Sequence, residues 1–192
     1  MTDSNRSSGE LTALLRQLEE RLAAAGVPMS ALRPGLPREQ IVAMFRARGL
    51  DAPGELIEWF GWHDGAESGV MPIPVLVPAS LAWALERYTY DLNSPRSWGF
   101  DPEWLSIERV PTSLNVQLTA GAQTPLVRRS DEDHPVGDTT DTTFEVRSMC
   151  VPVSWWIEDI DSGALTWRSE EGRWLVDYAA IDRARLATGM YQ

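Results

Sequence analysis

Apolar residues recur at helical spacing through the first half of this chain and at every second position through much of the rest. Leu11, Leu14, Leu15, Leu18 and Leu22 lie three or four apart, which predicts an amphipathic helix over 8–25. Ser7 and Glu10 match a capping box at its start. Gly26 is placed to end it. The segment "GVPMSALRPGLP" is broken by three prolines. A second helix is predicted from Pro37 to near Gly49, with Ile41, Met44 and Phe45 inward, and a third from about Pro53. In "LIEWFGWHDG" the residues Leu56, Trp59, Phe60 and His63 share one helical face, so Trp59 and Phe60 are expected in the core. Gly65 then suits the left-handed position that closes a helix. His63 falls in the predicted last turn, where the helix dipole favours positive charge. "MPIPVLVP" is extended, and its alternate prolines forbid an interior strand. Leu81, Ala84, Leu85 and Tyr88 predict a fourth helix over 79–90.

From Trp104 the period becomes two. "WLSIERV", "SLNVQLTA", "TPLVRRS" and "FEVRS" read as strands separated by turn-like pieces, and neighbouring antiparallel pairing is the simplest arrangement. Val153, Trp156, Ile157 and Ile160 predict a short helix ended by "DSG". "ALTWRSEEGRWLVDYA" predicts a hairpin turning at Glu170-Glu171-Gly172, and residues 180–187 a closing helix. Helices first and strands afterwards predict an α+β fold. The expected form is a mainly antiparallel or mixed sheet with helices packed against it in a single domain. An N-terminal tail and amphipathic helix, 1–30, precede the domain, 31–192.

Composition narrows the function. The chain has 192 residues, enough to bury a sizeable core without a staple. Its one cysteine, Cys150, allows no internal disulfide and points to a reducing compartment. With a polar N-terminus and no apolar run of membrane length, a cytoplasmic protein is expected. The formal charge is −11. That balance argues against nucleic acid and against anionic membrane surfaces as partners, and it steers a basic partner inward.

Each candidate for chemistry has a plainer alternative. His63-Asp64 resembles a base with an orienting carboxylate, but adjacent helical residues do not face one another. Cys150 has no nucleophile signature around it and reads as a small buried hydrophobe. One cysteine and two distant histidines, His63 and His134, do not make a zinc site. The segment 131–143 gathers Asp131, Asp133, Asp138, Asp141 and Glu145, which suggests Ca²⁺. Against the EF-hand pattern from Asp131, however, Val136 stands where Gly is needed and Thr142 where Glu is needed. A solvated loop is the simpler reading. No metal, cofactor or catalytic residue is assigned.

Four segments carry a family resemblance: "LPREQIVAMFRARGLDAPGELIEWFGWHDGA", "VLVPASLAWAL", "DPEWLSI" and "VPVSWWIEDIDSGAL". Together, within 36–175, they resemble the SMI1/KNR4 family, also called the SUKH superfamily. Its most recognisable element is a helix ending in Asn-Gly, and here Asp64-Gly65 stands in that place. The resemblance implies a single α+β domain with no known enzymatic activity. Bacterial members are thought to be immunity proteins that neutralise toxins, often nucleases. Fungal members are linked to cell-wall synthesis and signalling.

The first expectation is therefore a non-enzymatic binding protein, most concretely an immunity protein for a basic toxin. Asp131, Glu132, Asp133, Asp138 and Asp141 are the expected contacts, with Trp62 and Trp98 as aromatic anchors. The competing readings are solubility for the carboxylates and core packing for the tryptophans. A second expectation is a cytoplasmic regulatory or scaffold protein without a toxin. Ranked below both is a hydrolase, which requires a deep pocket holding His63 or His134 with carboxylates. The oligomeric state stays open.

Overall fold

Four leucines of the first helix are drawn inside, and Leu14 packs half-buried beside them. In a computed structural model, which describes residues 9–67, 71–74, 76–94, 101–109, 113–119, 122, 124–130 and 142–182, helix α1 spans Glu10–Ala24. Leu11, Leu15, Leu18 and Leu22 are each no more than 1% exposed. They belong to the same apolar cluster as the later helices and the sheet. Helix α1 thus contributes a wall of the common core.

The start of α1 departs from the capping-box expectation. Glu10 is its first residue and Gly9, at φ 101°, is the cap, with no side-chain bond of its own. Ser7 lies outside the described residues. The free amides are met from another helix: Thr12 donates its backbone N–H and its hydroxyl to Glu58 at 2.8 and 2.7 Å. A carboxylate at a helix N-terminus also suits the dipole. At the other end Gly26 has φ 87°, and its amide and that of Val27 bond back into the last turn, as expected.

A short strand, β1 (Leu32–Pro34), leads to α2 (Arg38–Arg46) and α3 (Gly54–Trp62). Strand β2 (His63–Ala66) pairs antiparallel with β1. Helix α4 (Leu81–Asn93) begins at Ser80, whose hydroxyl accepts the Trp83 amide at 3.2 Å. The segment expected to be extended instead turns at Pro74, where Leu76 donates to the Ile73 carbonyl at 3.2 Å, and isolated bridges join Ile73 to Leu76 and Pro78 to Glu108.

The second half forms β3 (Trp104–Ser106), β4 (Ser113–Gln117), β5 (Leu126–Ser130) and β6 (Thr142–Arg147), in a four-stranded antiparallel sheet of order β3-β4-β5-β6. Helix α5 (Cys150–Asp161) follows, longer than the apolar pattern alone suggested. The hairpin β7 (Leu165–Arg168) and β8 (Arg173–Val176) closes the described chain, with Trp167 opposite Trp174 at 5.6 Å between ring centroids. The expected closing helix falls largely beyond the described residues; Ala180 and Ile181 sit in a turn.

Period-two alternation sets two cross-strand rows in the four-stranded sheet, whose register shifts only past Arg129. Leu105, Val116, Val127 and Val146 stand opposite one another as a single apolar row. The next row, on the other face, is Ser106, Asn115, Arg128 and Glu145. The fold is α+β, with every sheet antiparallel. Among the described residues no helix is long and apolar enough to cross a membrane.

Candidate partner-binding surface

The aromatic segment makes a corner between α3 and β2. Trp59 and Phe60 are 1% and 0% exposed, core residues as expected. The helix ends at Trp62, one residue earlier than the sequence pattern implied. His63 has φ −145°, already extended, because it enters the β1–β2 pair. The dipole argument for His63 therefore falls away.

Trp62 is half-buried. Its indole N–H donates to Glu19 of α1 at 2.9 Å, and its ring packs on Trp59 and edge-on to His63. His63 Nδ1 lies 2.7 Å from the Arg33 carbonyl. A carbonyl only accepts, so Nδ1 carries the proton and Nε2 faces Glu19 at 4.0 Å. Asp64 points elsewhere, accepting the Leu81 amide at 2.7 Å at the start of α4. Histidine and aspartate are thus spent on different neighbours, and the adjacent pair does not form a base with its orienter. Gly65, at φ 82°, has the left-handed conformation expected of it, inside β2 and not at a helix end. A Cβ there would also meet the Ser80 amide nitrogen at 2.6 Å.

The expected acidic contacts, Asp131, Glu132, Asp133, Asp138 and Asp141, lie outside the described residues, as do Trp98 and His134. Their attachment points are described. Strand β5 ends at Ser130, β6 begins at Thr142, and these two residues pair across the ladder. Asp131 and Asp141 are each one peptide bond from that pair. The acidic segment therefore leaves and re-enters the sheet at points about 5 Å apart.

Buried charge sits on both faces of the same sheet. Arg128, 1% exposed, stacks over Trp104 with its guanidinium carbon 3.8 Å from the ring centroid. Arg129, 4% exposed, turns to the apolar face near the buried carboxyl of Glu108. Glu108 accepts the Leu114 amide at 3.1 Å. Burial pushes its pKa up to about 8, against the pull of Arg129 and the backbone amides of Leu114 and Val77. None of these residues was singled out from the sequence. The signal was nonetheless present: in a strand, adjacent Arg128 and Arg129 must point to opposite faces, so one of them has to enter the apolar side.

Another buried polar group lies where β6 meets α5. Ser148, fully buried at φ 84°, is bonded to Glu55 of α3. Cys150 is buried in the first turn of α5, as a small hydrophobe would be. Grooves open at the surface among the described residues. One of about 560 Å³ lies on α2 between Arg38 and Arg46. Another, about 590 Å³, lies between α1, α5 and β7. Neither is lined by a histidine among the described residues. Among those residues no three His, Cys, Asp or Glu side chains gather as metal ligands.

No protein-family model matches this sequence, and no curated protein is similar enough to be matched.

Proposed function

We propose that this chain is a non-enzymatic protein-binding module that presents a carboxylate-rich segment to a basic partner, most concretely an immunity protein that neutralises a basic, nuclease-type toxin. One observation carries the reading. The five carboxylates of 131–141 are tethered at both ends to a single paired position, Ser130–Thr142, at the rim of a rigid sheet. Negative charge held at one place on a chain of net charge −11 accelerates encounter with a positively charged cleft. The resemblance to SMI1/KNR4 proteins points the same way. Trp62, half-buried at the α3–β2 corner, is the described aromatic proposed to anchor the partner, and Trp98 the other.

The test is protection. The toxin-like product of an adjacent reading frame is expressed with this protein, and with a variant in which Asp131, Asp133, Asp138 and Asp141 become Asn and Glu132 becomes Gln. The native chain is expected to keep cells alive and to form a complex that weakens with salt. The neutralised variant should fold and fail to protect. Cells that die equally fast with the native chain, or that the variant rescues equally well, would remove the basis for this reading.

A further inference from the structure

The four-stranded sheet has two edges, and they are finished differently. Beyond β3 the chain at 107–109 is met by the extended segment 77–79: Ala79 donates to the Ile107 carbonyl and Arg109 to the Val77 carbonyl, at 2.9 and 3.0 Å. On the other side, β6 is the last strand of the order, and among the described residues no strand lies beyond it.

Which β6 groups face outward follows from one bond. Ser148 donates its backbone N–H to the Pro125 carbonyl at 2.8 Å, toward β5. The carbonyl of Arg147, on the same peptide unit, therefore points away from β5. Within a strand the N–H and C=O of one residue point the same way, and successive residues alternate. So Arg147 and Glu145 offer their backbone groups outward, while Val146 and Phe144 bond to β5. The side chains of Glu145 and Arg147 are exposed on one face.

Charged side chains on an edge strand ordinarily keep other strands from adding. Here the two charges are opposite in sign and two residues apart, so a second copy presents their complement. We infer that β6 is a homodimer edge: two copies add antiparallel about a two-fold axis at Val146, joining their sheets into one of eight strands. In that register Glu145 of each copy faces Arg147 of the other, and the outward N–H and C=O groups of these residues make four backbone hydrogen bonds. Sliding the axis to Glu145 would set two glutamates face to face, so charge selects the register. A two-fold pairing closes on itself and does not propagate into fibres. The inference does not depend on the acidic segment binding a toxin.

Sedimentation velocity from micromolar to millimolar protein tests this, at about 0.15 M salt, where exposed charges farther apart than roughly 8 Å are screened. The native chain should pass from monomer to dimer as concentration rises. Glu145→Pro removes an outward amide and leaves the β5 ladder intact, so it should give a folded monomer by circular dichroism. Glu145→Arg or Arg147→Glu alone puts like charges opposite one another and should weaken dimerisation at least tenfold; the double reversal should restore it. The two reversals sit at exposed positions, so they decide the matter even if the proline variant fails to fold. A chain that stays monomeric throughout, or a dimer indifferent to these reversals, overturns the inference.

Discussion

Ser148 and Glu55 lie 93 residues apart in the chain, and the serine hydroxyl donates to the glutamate at 2.6 Å. The second carboxylate oxygen accepts the Met149 amide at 2.6 Å, while Ser148 Oγ accepts the Cys150 amide at 3.0 Å. One buried carboxylate thereby joins α3 to the start of α5 and holds Ser148 in its left-handed conformation.

Glu55→Ala should be strongly destabilising. It strands a buried hydroxyl and a buried amide, and hydrogen bonds to charged groups are worth roughly 1.5–3 kcal/mol each. A loss of about 3 kcal/mol is expected from urea denaturation at unchanged slope, with Glu55→Gln losing less because its amide oxygen still accepts. Native-like stability in Glu55→Ala would show that this link does not hold the two helices together.

Glu108 makes stability depend on pH. Its folded pKa, about 8, lies above the ordinary 4.5 because burial disfavours the charged form. The contribution is therefore complete below pH 4.5, where folded and unfolded chains both hold the proton. It is lost progressively as pH rises to 8, because the unfolded chain releases the proton first. The loss is on the order of 5 kcal/mol once both states are ionised. Thermal or urea unfolding at about pH 5, 7 and 9 should show this decline in the native chain, and Glu108→Gln should flatten it. Parallel pH profiles for the two proteins would refute the assignment.

Trp59 and Trp62 are three residues apart and should respond differently. Trp59→Ala empties a core position and is expected to cost about 3–5 kcal/mol, enough to unfold the protein. Trp62→Phe keeps most of the ring contact with Trp59 and loses only the bond to Glu19. About 1 kcal/mol is expected, read as a small shift in denaturation midpoint with an unchanged circular dichroism spectrum. A soluble, folded Trp59→Ala protein would reverse the core assignment.

Asp64 and Gly65 fix the corner together. Asp64→Ala leaves the Leu81 amide without its acceptor and should cost about 1 kcal/mol, as for a lost helix cap. Gly65→Ala should be worse, because φ is 82° there and backbone atoms of Ala79 and Ser80 lie within 3 Å of the added carbon. The ranking is checked by comparing unfolding midpoints, and equal stability of Gly65→Ala and the native chain would contradict the close approach.

The local pattern determined a good deal by itself. Leucine spacing announced α1, alternation announced the four antiparallel strands, and Glu170-Glu171-Gly172 announced the β7–β8 turn. Each depends on which face of a helix or strand is apolar, and that is written in consecutive residues. Tertiary structure decided what lay between distant residues. Glu58 of α3 meets the first turn of α1, a contact that no local motif announces. His63 leaves the helix because β1 offers a pairing partner, and Asp64 serves α4 instead of its neighbour. Glu55 and Glu108 are buried because partners far along the chain satisfy them. A carboxylate's environment depends on which elements pack against it, and that packing brings together groups whose separation in sequence carries no periodic signal.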